Sequence, residues 1–300
     1  MVSHQAFKGL TWGCTLGIVL LLFFILYEVG KEAGSAMSRY GVTFLTTPTW
    51  DANKGEFGIL PQIWGTLYSS FLALLIGGVF GITVAIVLTQ DFVPAPLQAV
   101  FKNIIELLAA IPSVVYGLWG IFVLIPLIRP FCEWVYQHFS WIPFFSTSLA
   151  GPGMLPAALV LAIMILPTVA AVSQDSLLAI PYKVKEAAYG MGTTRWEAVL
   201  KVMLPTAANG IFGALVLGLG RALGETMALA MLVGNSNQIS LSLFSPANTL
   251  AALLALNFPE AGKVETQALM YAAIVLLLIT LAVNVVGQAI ITMTSKHRKA

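Results

Sequence analysis

An arginine and a glutamate lie within an otherwise apolar stretch of the chain. The segment Asn209–Val233 reads NGIFGALVLGLGRALGETMALAMLV, with Arg221 at its centre and Glu225 four residues later. Residues four apart share one face of a helix, so these two side chains are predicted to pair. The planar guanidinium group matches a tetrahedral oxyanion. The two residues therefore predict an anion pathway in which Glu225 keeps Arg221 from binding too tightly; the alternative is a structural pair that fixes helix packing.

A second informative segment, 173–208, holds a long polar loop that reads SQDSLLAIPYKVKEAAYGMGTTRWEAVLKVMLPTAA. Its apolar and small residues recur at helical spacing after Pro181, and Ala187 and Ala188 are expected to give that helix a small-residue face. Gly190 and Gly192 then predict a flexible corner, because glycine tolerates backbone conformations that other residues avoid.

A second helix is predicted to follow this corner. Thr194 and Glu197 have the spacing of a capping box, in which each side chain binds the other residue's backbone N–H. The helix is expected to run through Met203, with Leu204 and Pro205 ending it. The segment therefore predicts a helix–glycine–helix knob.

The composition identifies the environment of these segments. Hydrophobic residues make up 58% of the 300 residues and charged residues 9%, with 15 basic and 13 acidic side chains. A soluble domain carries about 25% charged residues. This chain cannot cover a water-soluble globule, and the same values exclude a disordered chain, a coiled coil and a nucleic-acid-binding protein. We predict an all-α polytopic membrane protein whose immediate partner is membrane lipid.

Six apolar stretches are long enough to cross a bilayer, which requires about 20 residues each. The first is expected to be an uncleaved anchor, because Glu28 and Lys31 follow it and no small-residue cleavage site does. The predicted regions are an anchor with an extracytoplasmic segment (1–62), a core that holds the other five spans (63–293) and a basic tail (294–300). The six predicted spans are Leu10–Tyr27, Ile63–Thr89, Asn103–Ile128, Leu155–Val172, Asn209–Val233 and Gln267–Met293.

The distribution of Lys and Arg predicts the orientation. Six spans place both termini on one side, and with that side inside, nine basic residues lie inside and five outside, with Arg221 within a span. Basic residues favour the cytoplasmic side, so both termini are predicted to be cytoplasmic. The aromatic stretch 129–153 is expected to lie on the outer bilayer surface, and Lys102 and Glu106 to form an interfacial ion pair.

The chain lacks the residues of an enzyme or a nucleotide-binding protein. No GxxxxGK[ST] string occurs, so any ATP chemistry belongs to a partner. His4, His138 and His297 are scattered, and Cys14 and Cys132 have no partner at metal-ligand spacing, so neither a catalytic cluster nor a metal site is predicted.

The polar loop resembles the EAA loop of ABC importer permeases. The resemblance rests on seven positions at the family's spacing, with Val202 in place of isoleucine as the one departure: Glu186, Ala187, Ala188, Gly192, Val202, Leu204 and Pro205. In that family the loop docks a short coupling helix into a groove on the ATPase subunit, so the resemblance implies the same role here.

Three further segments resemble the PstC-type permease of phosphate-specific ABC transporters: Phe57–Leu67, Ile104–Gly120 and Gly218–Ala228. The resemblance implies the type I ABC importer permease (MetI-like) fold, in the bacterial inner membrane. It also implies a homologous PstA-type permease, two ATPase copies that bind ATP and Mg²⁺, an extracytoplasmic phosphate-binding protein, and inorganic phosphate as substrate.

Two alternatives stay open on the residues alone. One Arg–Glu pair does not distinguish phosphate from sulfate or molybdate. An ion-coupled secondary carrier would use Glu225 and Glu106 as titrating groups, although it would show inverted repeats, which are absent, and would have no use for an EAA loop.

Overall fold

The computed structural model describes residues 4–90 and 92–297, and most of them are helical. One short β-hairpin, β1 (Trp50–Asp51) paired antiparallel with β2 (Glu56–Phe57), is the only sheet in these ranges. The α-helices are α1 (His4–Tyr40), α2 (Thr43–Thr46), α3 (Leu60–Thr89), α4 (Ala95–Ala110), α5 (Ser113–Trp119), α6 (Ile125–Phe139), α7 (Met154–Leu178), α8 (Tyr182–Gly190), α9 (Arg195–Glu197), α10 (Leu204–Leu223), α11 (Met227–Leu232), α12 (Leu250–Asn257) and α13 (Lys263–His297).

Six helical segments are long and apolar enough to cross a membrane, which confirms the predicted number. They are Phe7–Tyr40, Leu60–Thr89, Ser113–Phe139, Met154–Leu178, Arg195–Leu223 and Lys263–Met293. Residues 294–297 of the predicted basic tail continue α13, and residues 298–300 lie outside the described residues.

The third span differs from its predicted position at Asn103–Ile128. The chain breaks at Ile111, whose backbone is extended (ψ 127°), and the long helix begins after Pro112. Proline disfavours helical geometry in the residue before it, which explains the separation of α4 from α5. The helix then continues to Phe139, so residues 129–139 extend the span instead of lying as a surface loop.

Proline does not end the second helix of the polar loop, so the predicted end at Leu204 and Pro205 was wrong. Residues Ala198–Met203 form a π-helical stretch in which the N–H of Leu204 donates to the carbonyl of Val199. This five-residue bonding accommodates the missing N–H of Pro205, and the helix runs from Arg195 to Leu223. A second π stretch, Gly120–Leu124, precedes Pro126 at the same spacing.

The core is built where α3, α7 and α10 pack together through small residues. A Cβ atom at Gly77 would lie 2.6 Å from the carbonyl oxygen of Ala162, and one at Gly81 would lie 2.9 Å from Val169. Gly218 of α10 meets the other side of Val169. Small residues let membrane helices approach closely, and this contact fixes the relative positions of α7 and α10.

The β-hairpin ties the first helix to the last one. Tyr40 Oη, at the end of α1, donates to the carbonyl of Gly55 at 2.8 Å, and Trp50 Nε1 donates to Glu265 Oε1 of α13 at 3.2 Å. The end of the molecule that carries these contacts is called the hairpin end, and the end that carries α8 is called the α8 end. Away from the hairpin end, α1 is exposed from Phe7 to Phe24.

Candidate functional site

Arg221 lies in the last turn of α10 and is exposed on the surface of the chain. Its Nη1 donates a hydrogen bond to Thr168 Oγ1 at 3.3 Å. Thr168 lies 14 residues after the first residue of α7 and ten before its last, at Met154 and Leu178. The guanidinium group therefore lies level with the middle of α7, although Arg221 lies near the end of its own spanning helix, Arg195–Leu223, and not at the centre of a span Asn209–Val233 as predicted.

The predicted pair between Arg221 and Glu225 is not formed. Helix α10 ends at Leu223, and a break at 224–226 separates it from α11. Glu225 Oε1 instead accepts the backbone N–H of Ala228 at 3.4 Å. The pairing prediction was wrong because it assumed one continuous helix, and the Gly224 break removes the i,i+4 relationship. Arg221 consequently has no acidic partner among the described residues.

An exposed strip runs along the last two turns of α10. Leu217, Arg221 and Gly224 are all exposed, and their spacing places them on one face of the helix. Asn284 of α13, also exposed, borders the strip on its other side: a Cβ atom at Gly220 would lie 3.3 Å from Asn284 Oδ1. A charged or amide side chain at this depth is costly in hydrocarbon. The strip is therefore a surface for protein or water, not for lipid tails.

A groove of about 440 Å³ lies beside this strip, between α13 and the break after α10. Its lining includes Gly224, Leu277, Thr280, Leu281 and Asn284. The groove is mainly apolar and opens to the outside of the chain, so the polar strip and a shallow apolar groove share one face of the molecule.

The seven positions that resemble the EAA loop lie in α8, in the turn after it and in the first part of the following helix. Ala188 is 4% exposed and packs in a cluster with Ile180, Val199 and Met203, whereas Glu186 and Ala187 are exposed. The predicted common face of Ala187 and Ala188 is therefore divided, because consecutive helical residues point about 100° apart. Ala188 anchors α8 to the core, and the side chains of Glu186 and Ala187 face outward.

The corner and the cap after α8 are confirmed. Gly192 has φ +80°, a left-handed conformation that favours glycine. Glu197 N–H donates to Thr194 Oγ1 at 3.3 Å, and Thr194 N–H donates to Glu197 Oε2 at 3.1 Å, which completes the capping box. The helix that begins here is the one that carries Arg221, so the loop and the central arginine share one rigid element.

Large side chains project from the outer surface of this loop. Met191 is 86% exposed, Tyr182 73% and Trp196 59%. The Trp196 ring also stacks on Phe92, with centroids 4.6 Å apart, which links the loop to the segment after α3. An exposed group of aromatic and apolar side chains is typical of a protein-binding surface.

Lys102 and Glu106 form the predicted ion pair, with 4.0 Å between Nζ and Oε1. Both side chains are exposed, so the ion pair contributes little to stability.

Sequence reasoning missed Thr168 and Asn284 as neighbours of Arg221. Asn284 could have been noticed as an amide within the apolar stretch AIVLLLITLAVNVV, whereas Thr168 carries no signal that separates it from other helical threonines.

Comparison with known proteins agrees with these features. Residues 77–299 match the model of the family described as binding-protein-dependent transport system inner membrane component. The chain is 39% identical over 294 residues to the phosphate transport system permease protein PstC of Haemophilus influenzae, covering 96% of this chain and 93% of that protein. It is 38% identical over 293 residues to PstC of Mesorhizobium japonicum, covering 96% and 89%.

Solved structures show the same fold at low identity. A bacterial alginate ABC transporter matches with a TM-score of 0.64 and 17% identity, covering 96% of both chains. An inward-facing MetNI methionine ABC transporter matches with a TM-score of 0.58 and 21% identity, covering 79% of this chain and 95% of that one. The fold is that of type I ABC importer permeases, and the chain belongs to the family of binding-protein-dependent transport system inner membrane components, among its PstC-type permeases.

Proposed function

We propose that this chain is the permease subunit of an ATP-driven importer that moves inorganic phosphate across the bacterial cytoplasmic membrane. The observation that carries the proposal is the position of Arg221: exposed, level with the middle of α7, and without an acidic partner among the described residues. An arginine at this depth is functional by default, because its cost in a bilayer is about 2.5–3.5 kcal/mol even on the lenient insertion scale.

The substrate is proposed to be phosphate because the chain is 38–39% identical to relatives named PstC. The chemistry of the site is compatible with this substrate. A guanidinium group whose charge is not neutralised can bind an oxyanion through paired N–H donors. Glu225, at the break that follows α10, is proposed to border the same path and to limit how long the anion stays near Arg221.

The path is proposed to run between this chain and a homologous PstA-type permease. The exposed strip with Leu217, Arg221 and Gly224 would face that partner, since lipid would not cover a charged side chain. Lipid instead would cover apolar surfaces such as residues 7–24 of α1. An extracytoplasmic phosphate-binding protein would deliver the anion at the hairpin end.

Energy is proposed to enter at the α8 end. Two copies of a partner ATPase would bind ATP and Mg²⁺, because this chain has no GxxxxGK[ST] string of its own. Glu186, Ala187 and Gly192 are exposed and would contact one ATPase copy, while buried Ala188 holds the loop to the core. Leu204 and Pro205 would act inside the helix, transmitting loop movement toward Arg221.

The cycle then follows from differential binding. ATP binding would draw the two coupling loops together and favour an outward-open state, and hydrolysis would restore the inward-open state. Ligands shift such an equilibrium only by their difference in affinity for the two states. The orientation proposed here, with both termini and α8 cytoplasmic, agrees with the nine basic residues on that side against five on the other.

The test is uptake of radiolabelled phosphate in cells that lack their own high-affinity system and carry the matching transport operon. Uptake with this chain should require the ATPase and the binding protein and should be lost with Arg221→Ala. Competition by excess unlabelled sulfate or molybdate identifies a different oxyanion as substrate if it abolishes the signal. Uptake that persists without the ATPase would overturn the importer proposal in favour of an ion-coupled carrier.

A further inference from the structure

Threonine hydroxyls in the long helices share one hydrogen-bonding habit, and Thr168 departs from it. Helical threonines commonly donate their O–H to the backbone carbonyl one turn earlier. In the described part of the chain, nine of them donate to the carbonyl four residues before: Thr11, Thr15, Thr66, Thr83, Thr89, Thr206, Thr266, Thr280 and Thr292. Thr168 makes no such bond among the described residues, and its oxygen accepts from Arg221 instead.

The Thr168 hydroxyl therefore accepts a hydrogen bond from Arg221, while its own O–H has no acceptor among the described residues. The Thr168 Oγ1 lies 3.3 Å from Arg221 Nη1, so its O–H group is located next to the exposed guanidinium. Thr168 itself is half-buried, at the edge of the surface that Arg221 occupies. The hydroxyl therefore adds a neutral hydrogen-bond donor to a position that already carries one positive charge.

We propose that Thr168 is an anion-contacting residue, which accepts a hydrogen bond from Arg221 and donates its O–H to an oxygen of the translocated phosphate. The inference rests on the proposed function, since it requires that the anion passes Arg221. A neutral partner suits this role: a carboxylate beside Arg221 would cancel the charge that attracts the anion, whereas a hydroxyl orients the guanidinium and leaves its charge available.

The experiment compares isosteric and conservative replacements in the complete transporter. Thr168→Val removes the hydroxyl with little change of shape, and Thr168→Ser restores it. Thr83→Val is the matched control, because Thr83 is also a threonine of a spanning helix, but its hydroxyl binds its own backbone. Loss of a hydrogen bond to a charged ligand predicts an uptake rate at least about tenfold lower for Thr168→Val. Thr168→Ser and Thr83→Val should stay within about twofold of the original rate.

The outcomes separate this inference from the proposed function. If Arg221→Ala abolishes uptake and Thr168→Val matches Thr83→Val, the role of Thr168 is overturned while the anion path stands. If Arg221→Ala leaves uptake unchanged, the path itself is wrong. Membrane levels of the chain and its co-purification with the other subunits are measured for every variant, so that loss of assembly is recognised.

A second measurement covers the case in which Thr168→Val does not assemble. With Cys14 and Cys132 replaced by Ala, a Thr168→Cys variant should react with a water-soluble thiosulfonate reagent, and phosphate together with the binding protein should slow the reaction. An anion-contacting residue must be reached by water. If the thiol of the Thr168→Cys variant stays unmodified in transporting membranes, the proposal is overturned.

Discussion

Pro205 of the loop and Arg221 at the candidate anion site lie on the same helix, 16 residues apart. At 1.5 Å per residue, the helix joins them over about 24 Å. The helix continues past Pro205 because the wider hydrogen-bond spacing of the π stretch Ala198–Met203 accommodates a residue that has no backbone N–H. Movement of the loop at the α8 end can therefore reach Arg221 through one rigid element, without an intermediate contact between helices.

Softening this helix should uncouple transport from ATP hydrolysis. The double change Thr206→Gly and Ala208→Gly places two flexible residues between Pro205 and Arg221, at about 1 kcal/mol each. We expect ATPase activity of the complete transporter to persist while phosphate moved per ATP falls severalfold. The control is Thr206→Ala with Ala208 unchanged, which keeps the helix stiff. An unchanged ratio in the glycine variant would contradict transmission through this helix.

The turn after α8 should depend on backbone conformation at Gly192. Its φ of +80° is unfavourable for side chains, costing roughly 1–2 kcal/mol, yet nothing lies within 4 Å of a Cβ placed there. Gly192→Val is therefore expected to abolish ATP-driven uptake while leaving the chain in the membrane. Gly192→Asn should retain much more activity, because asparagine tolerates the left-handed region. Equal loss in both variants would indicate that contact with a partner, not backbone strain, limits this position.

The sequence predicted the features that depend on local composition and missed those that depend on breaks and tertiary contacts. Six apolar spans, the Gly192 corner and the Thr194–Glu197 cap follow from hydropathy, glycine and capping chemistry, and the structure confirms them. The effect of proline was misjudged at Pro205, which was expected to end its helix. Pro112 begins a new helix, whereas Pro205 is absorbed, and the difference lies in the π stretch, which has no clear sequence signature.

The environment of Arg221 shows why the site was only half predictable. Its depth follows from its position in an apolar stretch, but its partner does not. The break at Gly224 could be suspected from glycine, yet the contact with Thr168 joins residues 53 apart in sequence, and only the packing of α7 on α10 creates it.

Exchanging the two charges should not preserve function. If Arg221 and Glu225 acted as a pair, the double variant Arg221→Glu, Glu225→Arg would re-form it and recover part of the uptake lost in each single variant. The structure places Arg221 against Thr168 and Glu225 against the backbone of Ala228, so the exchange removes both contacts. We expect the double variant to be as inactive as Arg221→Glu in phosphate uptake. Recovery beyond about one tenth of the original rate would support a direct pair in some state of the cycle.

A packing prediction tests the loop that follows α11. Gly65 at the start of α3 lies directly on the backbone of Asn248, and a Cβ atom at Gly65 would lie 1.9 Å from the Asn248 carbonyl oxygen. Backbone cannot move aside as a flexible side chain can. Gly65→Ala should therefore displace the loop and its hydrogen bonds to α3, from Leu250 N–H to Thr66 Oγ1 and from Trp64 Nε1 to the carbonyl of Ser240.

The measurement for Gly65→Ala is the thermal midpoint of the purified complex in detergent, which we expect to fall by about 5 °C or more. Gly9→Ala is the matched control, since nothing lies within 4 Å of a Cβ at Gly9 and alanine favours a helix. That variant should keep its midpoint or gain slightly. A Gly65→Ala complex as stable as the Gly9→Ala complex would show that the loop is not held against α3 as described.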